Sequence, residues 1–367
     1  MKPIGLGIIG CGGICSAYFG GARTYDFLNV VACADLVPEA ARAAANEYGC
    51  EAISVDELLA RDDIEIVINL TIPQVHAEIA LRALKAGKHT HCEKPLAVTL
   101  EDGRKVVEAG KAAGLRVGCA PDTFLGSGIQ TSRKLLDDGL IGRPIAGTAM
   151  LMCHGHESWH ANPGFYYLLG GGPVFDMGPY YITALINLLG PARRVCASTQ
   201  KTFETRTCTS EARNGDVLPV EVTTHAAGTV DFACGAVITM VMTFDVWRNK
   251  HTNIELYGSE GSMHIPDPNG FGGVVSTAVA ADGYEWVEQP HTHGYEGSRC
   301  IGVADMAMAI EHKRPHRCSG ELALHALEIM HAFDASSQTG RHVELQTTCE
   351  RPAALPVGLK EGELDAV

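Results

Sequence analysis

The first residues in the chain that could do chemistry are the glycines of the segment GCGGIC at residues 10–15. The segment follows a short apolar run and precedes a helical pattern. In such a place the first glycine allows a tight turn, the second lets the backbone approach a pyrophosphate, and free N–H groups at the helix N-terminus bind that anion. Cys15 takes the third position, where glycine or alanine is usual, and it is small enough for close helix–strand contact. The segment therefore predicts a dinucleotide-binding turn with contacts from Gly10, Gly12, Gly13 and Ile14.

Asp35 closes the second predicted strand, a few residues beyond the offset of about 20 that is typical for an acidic residue after such glycines. A carboxylate there accepts hydrogen bonds from both ribose hydroxyls and repels a 2′-phosphate. The residues that follow are Leu36, Val37 and Pro38, so no basic side chain comes directly after it. We therefore expect NAD rather than NADP as the cofactor. The alternative is a solvated aspartate at a strand end.

Two further loops carry polar groups at the ends of predicted strands. Thr71, Pro73 and His76 follow one strand, and Glu93 and Lys94 follow the next, within the tripeptide Glu-Lys-Pro. In a doubly wound sheet the loops at the carboxyl ends of the strands line the cofactor crevice. We therefore expect these five residues to contact the cofactor, although His76 is equally compatible with an ordinary place at a helix N-terminus.

Lys94 is the residue of these loops best suited to proton transfer. A positive charge is disfavoured beside an oxidised nicotinamide, so a buried lysine there can accept a proton or donate a hydrogen bond. A surface lysine is the default for an isolated Glu-Lys-Pro tripeptide. Its position in a series of strand-end loops favours a functional role.

The elements that must position these residues alternate in type over the first 120 residues. Short β-rich runs predict strands at 4–9, 30–34, 64–69, 89–92 and 116–120. Alanine-rich runs between them predict helices at 38–48, 55–60, 76–86 and 100–113. This alternation predicts βαβ units and hence an α/β domain with a doubly wound parallel sheet.

From about residue 123 the pattern changes to an α+β domain. Helices are predicted at 128–138 and 179–189, then an antiparallel hairpin of 223–231 and 236–245, further strands at 254–257 and 262–265, and helices at 303–310 and 321–336. We predict domains at 1–122 and 123–350. The Pro- and Gly-rich residues 351–367 are expected to form a loose C-terminal arm.

Composition sets the broad class of the protein. Of 367 residues, 46% are hydrophobic and 20% are charged, which is sufficient for two folded domains. The net charge of −14 argues against nucleic acid or an anionic membrane surface as a partner. Thirteen scattered cysteines favour reduced thiols over disulfides. No apolar run of about 18 residues and no signal-peptide pattern occurs, so we expect a cytoplasmic protein without a membrane span.

Taken together, the motifs resemble those of the glucose–fructose oxidoreductase / inositol dehydrogenase (Gfo/Idh/MocA) family over almost the whole chain. The matching segments are Gly10–Gly13, Asp35, Thr71-x-Pro73-x-x-His76, Ala86-Gly87-Lys88-His89, Glu93-Lys94-Pro95 and Gly170-Gly171-Gly172-x-x-x-Asp176-x-Gly178. The resemblance implies a Rossmann domain followed by a C-terminal domain with a large, open-faced, mostly antiparallel sheet. It also implies NAD(P)-dependent oxidation or reduction of a sugar, sugar derivative or cyclitol.

The same resemblance implies the catalytic residues. In the family, the lysine of Glu-Lys-Pro and the Asp and His of an Asp-x-Gly-x-His motif face the reacting carbinol, which corresponds here to Lys94, Asp176 and Tyr180. Tyrosine stands where histidine is usual. Pro179 and Gly190 delimit a helix, so Tyr180 lies in its first turn, where the macrodipole favours a phenolate or a developing alkoxide. Tyr180 is then a general base, with Asp176 orienting or charge-balancing Lys94. Alternatively, Tyr180 shapes the pocket or is a plain core aromatic, and Lys94 alone handles the proton.

The segment HGHESWH at residues 154–160 is the second concentration of polar and aromatic side chains. We expect His156, Trp159 and His160 to pack against and hydrogen-bond a sugar ring. A purely structural loop is one alternative. A metal site formed by His154, His156, His160 and Asp176 is another, but hydride transfer to NAD needs no metal and we predict none.

Two residues outside these motifs complete the predicted substrate contacts. We expect Asp122, just after the last strand of the first domain, to contact nicotinamide or substrate. His293 belongs to a second polar cluster that could close the pocket, with His291, Tyr295 and Arg299.

The leading function is an NAD-dependent dehydrogenase of a sugar, glycoside or cyclitol. A redox-neutral, NAD-retaining glycosidase or epimerase, in which a transient ketone activates a neighbouring position, is a second possibility. A non-catalytic dinucleotide-sensing regulator is a third, because the fold also serves a galactose-pathway repressor. Lys94 and Asp176 argue against the regulator, whereas the absence of the usual histidine keeps it open.

The predicted sheet of the second domain has a face that needs a partner. Apolar and β-branched residues alternate along one of its strands, at Val237, Thr239, Val241 and Thr243. Such a face is normally covered. We therefore expect a homodimer or homotetramer formed through this sheet.

Overall fold

The structure is a computed structural model that describes residues 3–366, so the first two residues of the predicted first domain and the last residue of the predicted arm lie outside the described residues. Contacts within the chain divide it into two compact units. The first contains the residues up to Gln130, Thr292–Leu324 and the residues from Pro352 onward. The second contains Thr131–His291 and His325–Arg351. The predicted boundaries at residues 122 and 350 assign one continuous segment to each domain, whereas each unit of the structure is built from more than one segment.

The first unit contains a six-stranded parallel sheet in the order β3-β2-β1-β4-β5-β6, the strand order of the Rossmann fold. Its strands are β1 (Ile4–Ile9), β2 (Leu28–Ala34), β3 (Glu51–Ala52), β4 (Ile66–Asn69), β5 (His89–Cys92) and β6 (Val117–Cys119). The helices between them are α1 (Cys15–Ala22), α2 (Pro38–Tyr48), α3 (Val55–Ala60), α4 (His76–Lys85) and α5 (Leu100–Ala113). The predicted α/β fold class is confirmed.

Local sequence signals explain where these helices begin and end. Ser54 accepts a hydrogen bond from the backbone N–H of Glu57, whose side chain bonds back to Ser54, which forms a capping box at α3. Gly114 ends α5 with φ 67°, a left-handed conformation that favours glycine. The helices then bury their apolar faces against the sheet, as α3 and α4 do through Leu58, Leu59 and Ile79.

The second unit contains a nine-stranded sheet in the order β16-β15-β14-β13-β7-β12-β11-β8-β17, in which β7 and β12 pair in parallel and the other neighbours are antiparallel. From residue 127 to 200 the elements are α6 (Ser127–Asp137), which begins in the first unit, β7 (Pro144–Met152), α7 (Gly172–Asp176), α8 (Gly178–Leu189) and β8 (Ala192–Gln200). The strands that follow are β9 (Thr205–Thr207), β10 (Val217–Pro219), β11 (His225–Phe232), β12 (Val237–Thr243), β13 (Ile254–Gly258), β14 (Gly261–Ile265), β15 (Val275–Val279) and β16 (Val287–Gln289). The last elements are α9 (Ile301–Glu311), which belongs to the first unit, α10 (Gly320–Thr339), which begins in the first unit and continues in the second, and β17 (Val343–Glu344). The predicted hairpin is β11–β12, and the mostly antiparallel sheet is confirmed.

The C-terminal tail is packed on the first unit and is not the loose arm that its Pro and Gly content predicts. The carbonyl oxygen of Leu355 lies 3.0 Å from Nε2 of His293. Arg317 donates to the carbonyl oxygen of Ala353 (2.8 Å) and to the carboxylate of Asp365 (2.7 Å). These long-range contacts have no local sequence signature. Among the described residues, no helix is both long and apolar enough to span a membrane.

Candidate active site

The glycine turn between β1 and α1 has a different constraint at each glycine. Gly10 has φ +105°, and a Cβ there would lie 2.6 Å from the backbone carbon and oxygen of Leu70. Only glycine fits that turn without strain. A Cβ at Gly12 or Gly13 would meet nothing within 4 Å. The backbone at these two positions is therefore open on the side where a ligand would approach.

Helix α1 begins directly behind this open backbone. Its N-cap, Ile14, provides no side-chain cap. Cys15, the first helical residue, is buried, which agrees with the close helix–strand contact expected at the third position of the motif. The start of a helix without a side-chain cap presents N–H groups and partial positive charge, a suitable place for a phosphate.

Asp35 follows β2 beside the same turn. Its Oδ2 accepts a hydrogen bond from the backbone N–H of Cys11 at 2.7 Å, and its Oδ1 accepts one from Val37 at 2.8 Å. Each carboxylate oxygen has a second lone pair, so both can still accept a ribose hydroxyl. Asp35 thus holds the turn through its hydrogen bond from Cys11, and both of its oxygens can still accept a hydrogen bond from a ligand.

His76 has a position that its sequence context did not reveal. Its ring is only 1% exposed, with Nδ1 2.7 Å from the carbonyl oxygen of Pro95 and Nε2 2.9 Å from that of Thr71. Burial lowers the pKa of His76. The hydroxyl of Thr71 in turn donates to Asn69 at 2.6 Å. The imidazole joins the two strand-end loops predicted to hold the cofactor, so its geometry is that of a positioning residue. Pro73 begins a short 3-10 turn just before α4.

Glu93 also points into the unit. It is buried, accepts a hydrogen bond from Tyr18 Oη at 2.7 Å, and accepts another from the Lys94 backbone N–H at 3.0 Å. Burial raises the pKa of Glu93, but the positive charges of Arg299 and Lys94 and the Tyr18 hydrogen bond outweigh this, so its pKa lies below the usual value. Glu93 therefore anchors its loop, while the Lys94 side chain is only partly buried.

The predicted substrate contacts Asp122 and His293 lie in the first unit with protein partners. Asp122 is fully buried, with Oδ1 3.1 Å from Arg299 Nη1, and its Oδ2 accepts a hydrogen bond from the Gly302 N–H at 3.2 Å. Burial raises the pKa of Asp122, against the opposing effect of Arg299. His293 is buried, with Nδ1 2.9 Å from the Thr292 hydroxyl and Nε2 on the C-terminal tail. These contacts favour supporting roles over direct substrate contact.

In the second unit, Asp176 is the last residue of α7, and Tyr180 lies in the first turn of α8, as the flanking proline and glycine predict. Tyr180 is buried. Asp176 Oδ2 lies 3.3 Å from Nε2 of His156, and the two side chains are 14% and 13% exposed. The structure thus brings together two site residues 20 positions apart. The leading prediction gave them different roles, and only the metal-site alternative had placed them together.

A buried ion-pair network supports the segment that carries His156, and sequence reasoning missed it. Arg206 Nη1 donates to Glu157 Oε1 at 2.9 Å and is also paired with Asp245. The Tyr167 hydroxyl donates to the other oxygen of Glu157. The Arg206–Glu157 separation of 49 residues leaves no local pattern. The one local sign of this network was Glu157, an acidic residue within the segment of histidines and tryptophan at residues 154–160.

Aromatic side chains surround the same segment. The His156 ring lies between Tyr166, Phe244 and Trp159, with centroid distances of 4.1, 4.7 and 5.3 Å. Trp159 is 63% exposed, which suits a ring that stacks on a sugar. His160 Nδ1 accepts a hydrogen bond from the Asn162 N–H at 2.9 Å. Among residues 3–366, no group of three or more His, Cys, Asp or Glu side chains is arranged to hold a metal ion, so the three histidines and Asp176 do not form the alternative metal site.

A Rossmann unit with an open glycine turn is typical of proteins that bind a dinucleotide. The second unit contributes a large sheet and a polar, aromatic segment. The family model described as "Oxidoreductase family, NAD-binding Rossmann fold" (GFO_IDH_MocA) matches residues 4–120, and that of the GFO/IDH/MocA C-terminal domain matches residues 129–264. The chain belongs to the Gfo/Idh/MocA family. The prediction of an NAD(P)-dependent oxidoreductase is confirmed.

Curated relatives and solved structures agree with this assignment. A 1,5-anhydro-D-fructose reductase of Ensifer adhaerens is 28% identical over 316 residues, 84% of this chain and 88% of the relative. An inositol 2-dehydrogenase of Burkholderia cenocepacia is 30% identical over 279 residues, 73% of this chain and 75% of the relative. A levoglucosan dehydrogenase solved with NADH and L-sorbose has a similar fold, with TM-score 0.77, 22% identity, and 95% of this chain and all of that chain covered.

Proposed function

We propose that the protein is an NAD-dependent dehydrogenase that oxidises a ring carbinol of a sugar, glycoside or cyclitol, or reduces the corresponding ketone. Family membership and the names of the relatives support the reaction class and the substrate class. The observation that carries the proposal is the Asp35 carboxylate, fixed by the N–H of Cys11 beside the open glycine turn.

The same carboxylate supports NAD over NADP. Its two oxygens can accept the two adenosine ribose hydroxyls, and its charge repels a 2′-phosphate. No Arg or Lys follows it directly to compensate that charge. The cofactor contacts would then come from Gly10, Gly12, Gly13, Ile14 and Asp35, with Thr71, Pro73, Glu93 and Lys94 in the loops that His76 joins.

The chain's own residues would supply binding and proton transfer, while bound NAD+ is the hydride acceptor. Lys94 is proposed to contact the reacting carbinol from the first unit. In the second unit, Asp176 and Tyr180 are proposed as catalytic residues, with Tyr180 as a base or as a wall of the pocket. The exposed Trp159 and the neighbouring His160 offer a stacking surface and hydrogen bonds to a sugar ring.

A homodimer or homotetramer through the nine-stranded sheet is part of the proposal. Along β12, Ile238, Met240 and Met242 are buried, whereas Val237 on the opposite face is 40% exposed. This alternation leaves one face of the sheet to be covered by a second copy. The molar mass in solution tests it, and a monomer at micromolar concentration would contradict it.

The function is tested by a screen of NAD+ reduction with levoglucosan, myo-inositol and other sugars, with NADP+ in parallel. Oxidation of NADH by 1,5-anhydro-D-fructose tests the reverse direction. We expect NADH release with at least one substrate, and a higher kcat/KM with NAD+ than with NADP+. Conversion of a sugar without net NADH would favour the redox-neutral epimerase or glycosidase. Cofactor binding without any turnover would favour the regulator.

A further inference from the structure

The His156–Asp176 pair has the geometry of an acid–base dyad. Asp176 Oδ2 lies 3.3 Å from Nε2 of His156, and both side chains are about one-seventh exposed. A carboxylate accepts hydrogen bonds only, so it holds the ring proton on Nε2. Nδ1 then carries the lone pair and is the nitrogen that can take a proton.

Nδ1 of His156 is available to accept a proton. Among residues 3–366, Nδ1 of His156 has no hydrogen-bond partner, and it is not one of the buried unpartnered atoms. In contrast, Nδ1 of the neighbouring His154 is buried without a partner, and that ring is stacked on Trp247 at 3.3 Å between centroids. Of these two histidines, only His156 presents a free nitrogen at the surface and a carboxylate at the other nitrogen.

The surroundings of His156 hold its ring in one orientation. Tyr166 and Phe244 pack against it, and its backbone N–H donates to the Tyr167 hydroxyl at 3.3 Å. The next residue, Glu157, is fixed by Arg206, and its carbonyl oxygen accepts the N–H groups of Thr209 and Ser210 at 3.0 Å. Titratable side chains of the second unit that contact His156 include Asp176, Tyr166 and Tyr167. A catalytic group needs such support from its neighbours.

We infer that His156 is the proton acceptor of the proposed dehydrogenase and that Asp176 is its positioning partner. In the oxidation, the carbinol O–H proton passes to Nδ1 of neutral His156. The hydride leaves the same carbon with its electron pair for the bound nicotinamide, and the C–O bond becomes C=O. Asp176 balances the imidazolium that forms. In the reverse direction His156 returns the proton to the alkoxide oxygen. This inference rests on the proposed function and assigns to His156 more than the sugar contact that its sequence suggested.

The test compares His156→Gln, whose amide nitrogen retains the bond to Asp176 but cannot accept a proton, with the wild type. We expect kcat to fall about 100-fold or more, the range of a lost general base, with little change in KM or in the dissociation constant of NADH. The wild-type kcat/KM should fall towards acid pH because an imidazolium accepts no proton, and this limb should be lost in the variant. Imidazole should partly restore turnover to His156→Ala. The exposed His342 gives a control, His342→Gln, expected to behave as the wild type.

A second readout does not depend on turnover. Selective 15N-histidine NMR should show the Nε2–H tautomer for His156 and a change of tautomer or titration in Asp176→Asn. A His156→Gln enzyme with near-normal kcat and an unchanged pH profile would overturn the inference, as would a rise in KM alone, which would indicate a sugar contact. Loss of turnover in Tyr180→Phe combined with normal His156→Gln would assign the proton to Tyr180. If the wild type itself turns over no sugar, the proposed function fails, whereas the NMR result still tests the dyad.

Discussion

Arg299 lies among the buried acidic residues of the first unit, and its positive charge affects the pKa of more than one carboxylate. It is paired with Asp122 at 3.1 Å. Burial raises the pKa of Asp122 and the charge of Arg299 only opposes that rise, whereas Arg299 together with Lys94 holds the pKa of buried Glu93 below its usual value. Removing one member of a buried charged network leaves the others uncompensated. The loop that begins at Glu93 and Lys94 is therefore held by Tyr18 and Arg299, which lie in two distant parts of the sequence.

Asp35 carries the residue-level prediction on cofactor choice. Asp35→Asn keeps an acceptor for the Cys11 N–H but removes the charge that faces a 2′-phosphate. Charged hydrogen bonds contribute about 1.5–3 kcal/mol, so we expect the KM for NAD+ to rise roughly 10- to 100-fold and the preference over NADP+ to shrink. Steady-state kinetics with both cofactors measure this. Asp62→Asn, at an exposed aspartate of the same unit, is the control. An unchanged cofactor ratio would show that Asp35 does not contact the ribose.

Gly10 and Asp35 were predictable because they belong to a recurrent motif with a nearly fixed spacing. Gly10 follows the first strand and Asp35 ends the second, so the pattern marks both residues although the Cys11–Asp35 hydrogen bond spans 24 residues. The role of His76 was not predictable, because its second partner, Pro95, is 19 residues away. The pairing of His156 with Asp176 depends in the same way on a tertiary contact across 20 residues.

At the scale of elements, His76 ties the loop after β4 to the loop after β5. The neutral ring has one N–H and donates it to one of the carbonyl oxygens of Thr71 and Pro95, so replacing His76 with leucine removes that hydrogen bond. Each unsatisfied buried group costs about 1–3 kcal/mol. We expect His76→Leu to lower the free energy of unfolding by an amount in that range and to weaken NADH binding at temperatures where the variant is fully folded.

The control for this prediction is His312→Leu, at an exposed histidine of the same unit. His76→Gln, which can still donate one hydrogen bond, should recover part of the NADH affinity. If His76→Leu lost stability but bound NADH as tightly as the wild type, the loops would not depend on this histidine for cofactor binding.

Most elements of the first unit were predictable because each has its own apolar pattern and its own helix signals, such as Pro38 at the start of α2 and Gly114 after α5. Strand β3 was missed because it is two exposed residues long and has no apolar pattern. The packed tail was missed for a different reason. Its partners, His293 and Arg317, are far away in sequence, and a Pro- and Gly-rich segment reads as irregular whether or not it is docked.

At the scale of the whole molecule, buried histidines make stability depend on pH. His91 is fully buried, and among the described residues both its ring nitrogens lack a hydrogen-bond partner. Burial lowers its pKa to about 4, from about 6.5 for an exposed histidine. The unfolded chain therefore binds this proton more tightly than the folded chain, and stability is lost as the pH falls from about 6.5 towards 4.

The size of this pH effect on stability follows from the difference between the pKa of His91 in the folded and in the unfolded chain. At about 1.4 kcal/mol per pKa unit, His91 alone lowers the free energy of unfolding by up to about 3 kcal/mol between neutral pH and pH 4. Denaturant unfolding of the wild type and of His91→Leu at several pH values measures it. We expect a shallower pH dependence in the variant, whereas His342→Leu, at an exposed site, should keep the wild-type slope. Equal slopes for His91→Leu and the wild type would contradict the account.

The proposed reaction transfers a hydride directly from a ring carbinol of a sugar or cyclitol to NAD+. The most direct measurement follows deuterium from a substrate labelled at the reacting carbon, for example myo-inositol or levoglucosan, into the reduced cofactor. We predict NADH one mass unit heavier, formed in equal amount to the ketone. Unlabelled NADH, or loss of the label to water without net reduction, would contradict direct hydride transfer and the dehydrogenase assignment with it.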